Sequence, residues 1–138
     1  MKTLFILLSL LSMPAWAVVT KYTVINHSDH SVQCAFAQIA NPNPQAPEVT
    51  VYHWFVVNNG QSTTFNQRTD GFYCESTDGS NLTYTGNAGY LCVSRSNYVN
   101  PLYKANLADL CNSLGGQMVG FINVTGFGAQ STVLNAPN

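Results

Sequence analysis

After residue 17, hydrophobic and polar positions mostly alternate in short runs, the pattern of half-buried strands. Residues 21–26 (KYTVIN) and 31–39 (SVQCAFAQI) read as two strands, and the Asn-His-Ser-Asp-His between them is turn chemistry, so a hairpin is expected. Residues 49–57 (VTVYHWFVV) are the densest strand signal, rich in β-branched and aromatic side chains. On strict alternation Tyr52 and Trp54 share one face, with His53 and Phe55 on the other. Asn59-Gly60 then predicts a tight turn and a return strand over 61–65. Further strands are expected at 72–76, 82–85, 90–93, 118–124 and 131–134. Those at 82–85 and 90–93 are read as a hairpin around Gly86-Asn87-Ala88-Gly89.

Two segments break the pattern. Pro42, Pro44 and Pro47 make 41–47 an extended loop. Residues 106–115 read as one short α-helix: Asn106 can cap it, Leu107, Leu110, Cys111 and Leu114 form an apolar stripe, and Gly115-Gly116 ends it. Short strands with frequent turns and one helix predict a mainly β fold, an antiparallel β-sandwich or small barrel, as a single domain over 18–138.

The first 17 residues differ in kind. Lys2, the apolar run Leu4–Leu11 and Ala15-Trp16-Ala17 have the three-part form of a cleaved secretory signal, and the run is too short to span a bilayer. Export makes sense of the cysteines. Cys34, Cys74, Cys92 and Cys111 are four in number, lack knuckle spacing and suit two disulfides better than a zinc site. Of the three connectivities they allow, Cys34–Cys74 with Cys92–Cys111 is favoured. Cys34 and Cys74 sit mid-strand among apolar neighbours, and Cys111 lies on the apolar stripe of a helix that follows the Cys92 strand.

Composition narrows the function. Only 8% of residues are charged, the formal net charge is −1, and 46% are hydrophobic. Such a chain is not disordered. Its mature part holds only Lys21, Arg68, Arg95 and Lys104 as cations, too few for a nucleic-acid stripe or a polybasic membrane anchor.

Three segments in order carry a resemblance. They are 24–35 with its Asn-led turn, 53–62 (HWFVVNNGQS), and Leu91-Cys92-Val93 followed by Cys111-Asn112-Ser113-Leu114-Gly115-Gly116 and Gly120-Phe121. The order resembles the bacterial domain-of-unknown-function family numbered ten-thirty-six, over most of 22–126. The chain departs from that family's pattern at Phe55, Asn59 and Ser62, where Trp, Pro and Cys are expected, and at Ile25, where a Cys often stands. The resemblance implies an exported bacterial domain in which Cys92 and Cys111 match family cysteines, and Cys34 with Cys74 replaces a lost early bridge. It implies no activity.

Candidate chemistry is sparse. His27 and His30 flank Ser28-Asp29 in a turn, with His53 the only other histidine, and a surface turn is expected rather than a metal site. No nucleophile elbow, phosphate loop or zinc-protease motif occurs. Glu75 and Asp78 form the one acid pair that could serve a small secreted hydrolase. Sequons at Asn26, Asn81 and Asn123 are ascribed to the high Asn content. Tyr84, Tyr90, Tyr98 and Tyr103 fall in or near turns and are the candidate ligand-binding patch. The expectation is a periplasmic or extracellular, non-catalytic binding module for a protein or carbohydrate, with no cofactor, metal, nucleic acid or membrane insertion. A hydrolase and a structural envelope protein are the alternatives.

Overall fold

A computed structural model of the protein describes residues 18–41, 48–94, 99–103, 111–113 and 115–136. Among the described residues ten strands run in chain order: β1 (Val19–His27), β2 (Val32–Asn41), β3 (Glu48–Val57), β4 (Ser62–Phe65), β5 (Gly71–Ser76), β6 (Thr83–Tyr84), β7 (Gly89–Val93), β8 (Val99–Tyr103), β9 (Gln117–Asn123) and β10 (Gly128–Asn135). The fold is mainly β, in two sheets. The smaller has the order β10-β1-β4, with β1 and β10 parallel. The larger runs β7-β9-β5-β2-β3-β8, with β6 pairing beside β5. Residues 111–113 form a helical turn; positions 106–110 and 114 of the expected helix, the 42–47 loop and Tyr98 lie outside the described residues.

Alternation along β2 and β5 explains how the large sheet is buried on both faces. Val32, Cys34 and Phe36 of β2 and Phe72 and Cys74 of β5 face the small sheet, where they meet Tyr22, Val24, Phe65 and Leu134. Phe65 is the hub of this core. It stacks on Phe36 at 4.9 Å and meets Tyr52 and Phe55 at 5.1 and 5.6 Å. Burial holds the Tyr22 phenol above its ordinary pKa, partly offset by a hydrogen bond with Thr132. The opposite face of β2 carries Ala35 and Ala37. These small side chains let the sheet curl over a second core built with Val51, Tyr73, Val93, Val119 and Phe121.

Both bridges tie this frame. Cys34 and Cys74 stand directly opposite across β2 and β5, with Cα atoms 4.1 Å apart. Cys92 on β7 is joined to Cys111, against Met118, where the helical turn covers that side of the sheet.

Three pairings expected from the chain differ from those observed. β1 and β2 are not a hairpin but lie in different sheets. The reason is Asn26, fully buried at the end of β1. Its amide donates to the carbonyls of His30 and Val57 (2.7 and 2.8 Å), and its oxygen accepts from the Ser28 N–H and hydroxyl (2.9 and 2.6 Å). These bonds swing the chain from one sheet to the other. Likewise β4 does not return along β3. Gly60, with φ +78°, and Gln61 bond the backbone of Asn26, which hands β4 to β1. Finally, β6 and β7 do not pair with each other, but with β5 and β9 respectively. Gly86 and Ala88 donate their N–H groups to Gly120 and Phe121, so the segment crosses over β9 instead of turning back.

Candidate functional site

The concave face of the large sheet is the most built feature of the described surface. A bulge in β3 shapes it. Cys34 opposes Phe55 and Phe36 opposes Tyr52, so β3 spends one residue more than β2 over this stretch. The shared face expected for Tyr52 and Trp54 is therefore not found. Tyr52 and Phe55 pack on the core between the sheets, and Trp54 packs on the concave one. The bulged pair His53 and Trp54 grips the end of β7 at Ser94. His53 Nε2 accepts the Ser94 N–H at 3.0 Å, and the Trp54 indole N–H donates to the Ser94 carbonyl at 2.9 Å.

This clamp holds β7 to β3 at one end of the curl. Toward the other end the concave face opens into a cleft of about 110 Å³. β2 contributes Ala37 and Ile39, β5 Gly71, β7 Gly89 and Leu91, and β9 Phe121 and Asn123, with Ala88 and Asp70 beside them. The lining is almost wholly apolar and small. Its one carboxylate is occupied: Asp70 accepts the Ile39 N–H at 2.7 Å and lies 3.4 Å from the Arg68 guanidinium.

Gly89 stands out among these residues. A glycine within a strand loses more conformational freedom than alanine and costs about 0.5–1 kcal/mol. Close approach explains Gly120, where an added Cβ would come within 2.1 Å of the Gly86 carbonyl oxygen. It does not explain Gly89, whose Cβ would meet no atom within 4 Å and whose φ is not positive. What the missing side chain leaves is open space in the cleft.

A second, polar cleft of about 310 Å³ lies where β5 parts from β9 to pair with β6. It is lined by Tyr73, Glu75, Ser76, Asn81, Leu82, Thr83 and Gln117. Glu75 accepts from the Gln33 amide at 3.2 Å. Asp78 does not line that cleft. It sits in the following turn, bonded to the Ser80 N–H at 3.0 Å and to His30 Nδ1 at 2.5 Å. Those contacts, Ser80 first and His30 second, hold its carboxyl at about 2. The two acids thus serve different partners. The three histidines are also separated: His27 is exposed at the end of β1, His30 faces Asp78, and His53 is buried at the clamp. Among the described residues no cluster of three or more His, Cys, Asp or Glu could hold a metal ion.

Of the four tyrosines of the expected patch, Tyr98 and the side chain of Tyr103 lie outside the described residues. Tyr84 is half-buried against the core, and its hydroxyl donates to the Asn135 carbonyl at 2.8 Å. Tyr90 is 66% exposed on the β7 face away from the cleft, while Tyr103 lies on β8 at the far end of the strand order. The Gly86-Asn87-Ala88-Gly89 composition predicts a turn, whereas Gly89 opens β7. The available signal was a glycine two positions before Leu91 on the same face of a strand.

No helix among the described residues is long and apolar enough to cross a membrane. Compared with family models, with curated proteins and with solved structures, the chain shows no significant match to any.

Proposed function

We propose that the protein is an exported, non-catalytic binding module whose concave cleft receives an apolar side chain of a protein ligand. The observation that carries this reading is Gly89: the fold accepts a strand glycine that no contact or backbone angle demands, and the result is an open, apolar space. The volume is of the order of the cavity that holds a benzene ring, so one side chain is the natural occupant. Export rests on the N-terminal leader and on the two disulfides, which persist in oxidising compartments such as the periplasm or the extracellular space.

The test is an amide-resolved NMR titration of the disulfide-bonded protein with N-acetyl-leucinamide and N-acetyl-phenylalaninamide, and separately with an N-acetylglucosamine oligomer. For probes of this size, ligand efficiency sets a Kd on the order of 1 mM. Saturating shifts at Gly71, Gly89 and Phe121 with an apolar amide are expected. Shifts confined to Glu75, Thr83 and Gln117 with the saccharide would replace the protein ligand by a carbohydrate one. Silence from all three probes would remove the cleft as a binding site.

A further inference from the structure

Native sheets protect their edges, because an unpaired strand is a template for another chain. Most edges here are protected. β4 is four residues long, β7 five and β6 two, and β8 carries Pro101. β10 is different. It runs eight residues, GAQSTVLN, with neither a charge nor a proline. It ends the small sheet, and among the described residues β1 is its only neighbouring strand. In a strand alternate residues aim both backbone groups to the same side, so half of those on β10 point away from β1. Two exposed large apolar side chains lie at this edge: Val133 on β10, 43% exposed, and Phe127 just before it, 71% exposed.

We propose that β10 is a self-association edge, at which two copies of this chain pair their β10 strands antiparallel about a two-fold axis and join two three-stranded sheets into one of six. A second copy is the occupant that the charge pattern favours. A two-fold pair sets a strand against itself, which is repulsive for any charged strand and free of that penalty here. The whole-chain net charge of −1 adds almost no long-range repulsion. In-register antiparallel pairing also carries Phe127 to the C-terminal end of the other copy's β10. One strand pair buries less than the roughly 1,200–2,000 Å² of a stable interface, so the association is weak, with Kd of about 0.1–1 mM. This edge is on the sheet that does not form the cleft, so the proposal stands apart from the binding reading.

Sedimentation velocity on the disulfide-bonded protein up to about 1 mM, with amide hydrogen exchange at low and high concentration, tests it. The expected result is a concentration-dependent dimer in which the β10 amides gain protection. Val133→Lys and, independently, Ser131→Lys place a cation on exposed positions of the strand. Both variants are expected to stay monomeric with an unchanged unfolding midpoint. A protein that remains monomeric throughout would overturn the proposal. So would a dimer that survives both substitutions, or protection that rises on β7 or β8 instead.

Discussion

Replacing Asn26 by alanine probes the junction that sends the chain from one sheet to the other. The side chain is wholly buried and makes four hydrogen bonds. Alanine takes the donors from the carbonyls of His30 and Val57, each bond worth about 1 kcal/mol net. The Ser28 hydroxyl, released from Asn26 and 3.0 Å from the His30 carbonyl, can donate to that carbonyl instead. The Ser28 N–H loses its acceptor, and a buried N–H without a partner costs about 1–3 kcal/mol. The total is about 3 kcal/mol, a large part of the roughly 5–15 kcal/mol that holds a domain together. Urea unfolding with the disulfides intact, followed by Trp54 fluorescence, should show a lower midpoint and an unchanged slope. The control is Asn58→Ala, an exposed position whose side chain bonds the Ser31 hydroxyl at 2.9 Å, with an expected cost under about 0.5 kcal/mol. A loss below about 1 kcal/mol for Asn26→Ala would refute the reasoning. The backbone bonds of Asn26 with Gly60 and Gln61, 2.8 Å each, would then suffice to hold the junction.

Three further outcomes follow from the geometry. The Cys34–Cys74 and Cys92–Cys111 bridges close loops of 40 and 19 residues, worth about 4 and 3 kcal/mol by loop closure, so the paired alanine variants should lose stability in that order by chemical denaturation. The reverse order would contradict a loop-closure origin. Phe65→Ala, at the aromatic hub, should cost about 3–5 kcal/mol in the same assay. The Asp78 carboxyl is held at about 2 against an ordinary 3.8, so its contribution is present above about pH 4 and lost as pH falls through 2. The gap in Tm between the parent protein and Asp78→Asn should close over that window, and a constant gap would show that the Ser80 and His30 contacts do not favour the charged form.

Strand positions were legible because a two-sided sheet writes alternation into the chain, as in Val32, Cys34 and Phe36 against Ala35 and Ala37. Both bridges join the cysteine pairs favoured from that pattern. Strand partners were not legible, because they depend on contacts remote in sequence. The Asn59-Gly60 turn has strong hairpin chemistry, yet its backbone is engaged by Asn26, more than thirty residues earlier, and β4 joins β1. The bulge at His53 and Trp54 was equally hidden, since alternation assumes an unbroken register. The Tyr84 hydroxyl is bonded within the domain to a carbonyl some fifty residues later, a contact that local sequence does not show. The candidate cleft is not legible for a simpler reason. Glycine beside Asn and Ala is ordinary turn composition, and only the space around its absent side chain shows that Gly89 is unexplained by the turn.

That space can be filled. Gly89→Val adds a side chain suited to a strand at a position with no atom within 4 Å of its Cβ. The account predicts unfolding stability equal to the parent or higher, by about 0.5–1 kcal/mol for the smaller Gly89→Ala step. It also predicts that the Gly71 and Phe121 shifts induced by N-acetyl-leucinamide or N-acetyl-phenylalaninamide vanish in Gly89→Val. A Gly89→Val protein that binds as the parent does, or one that loses stability, would contradict the claim that Gly89 is kept for the cleft.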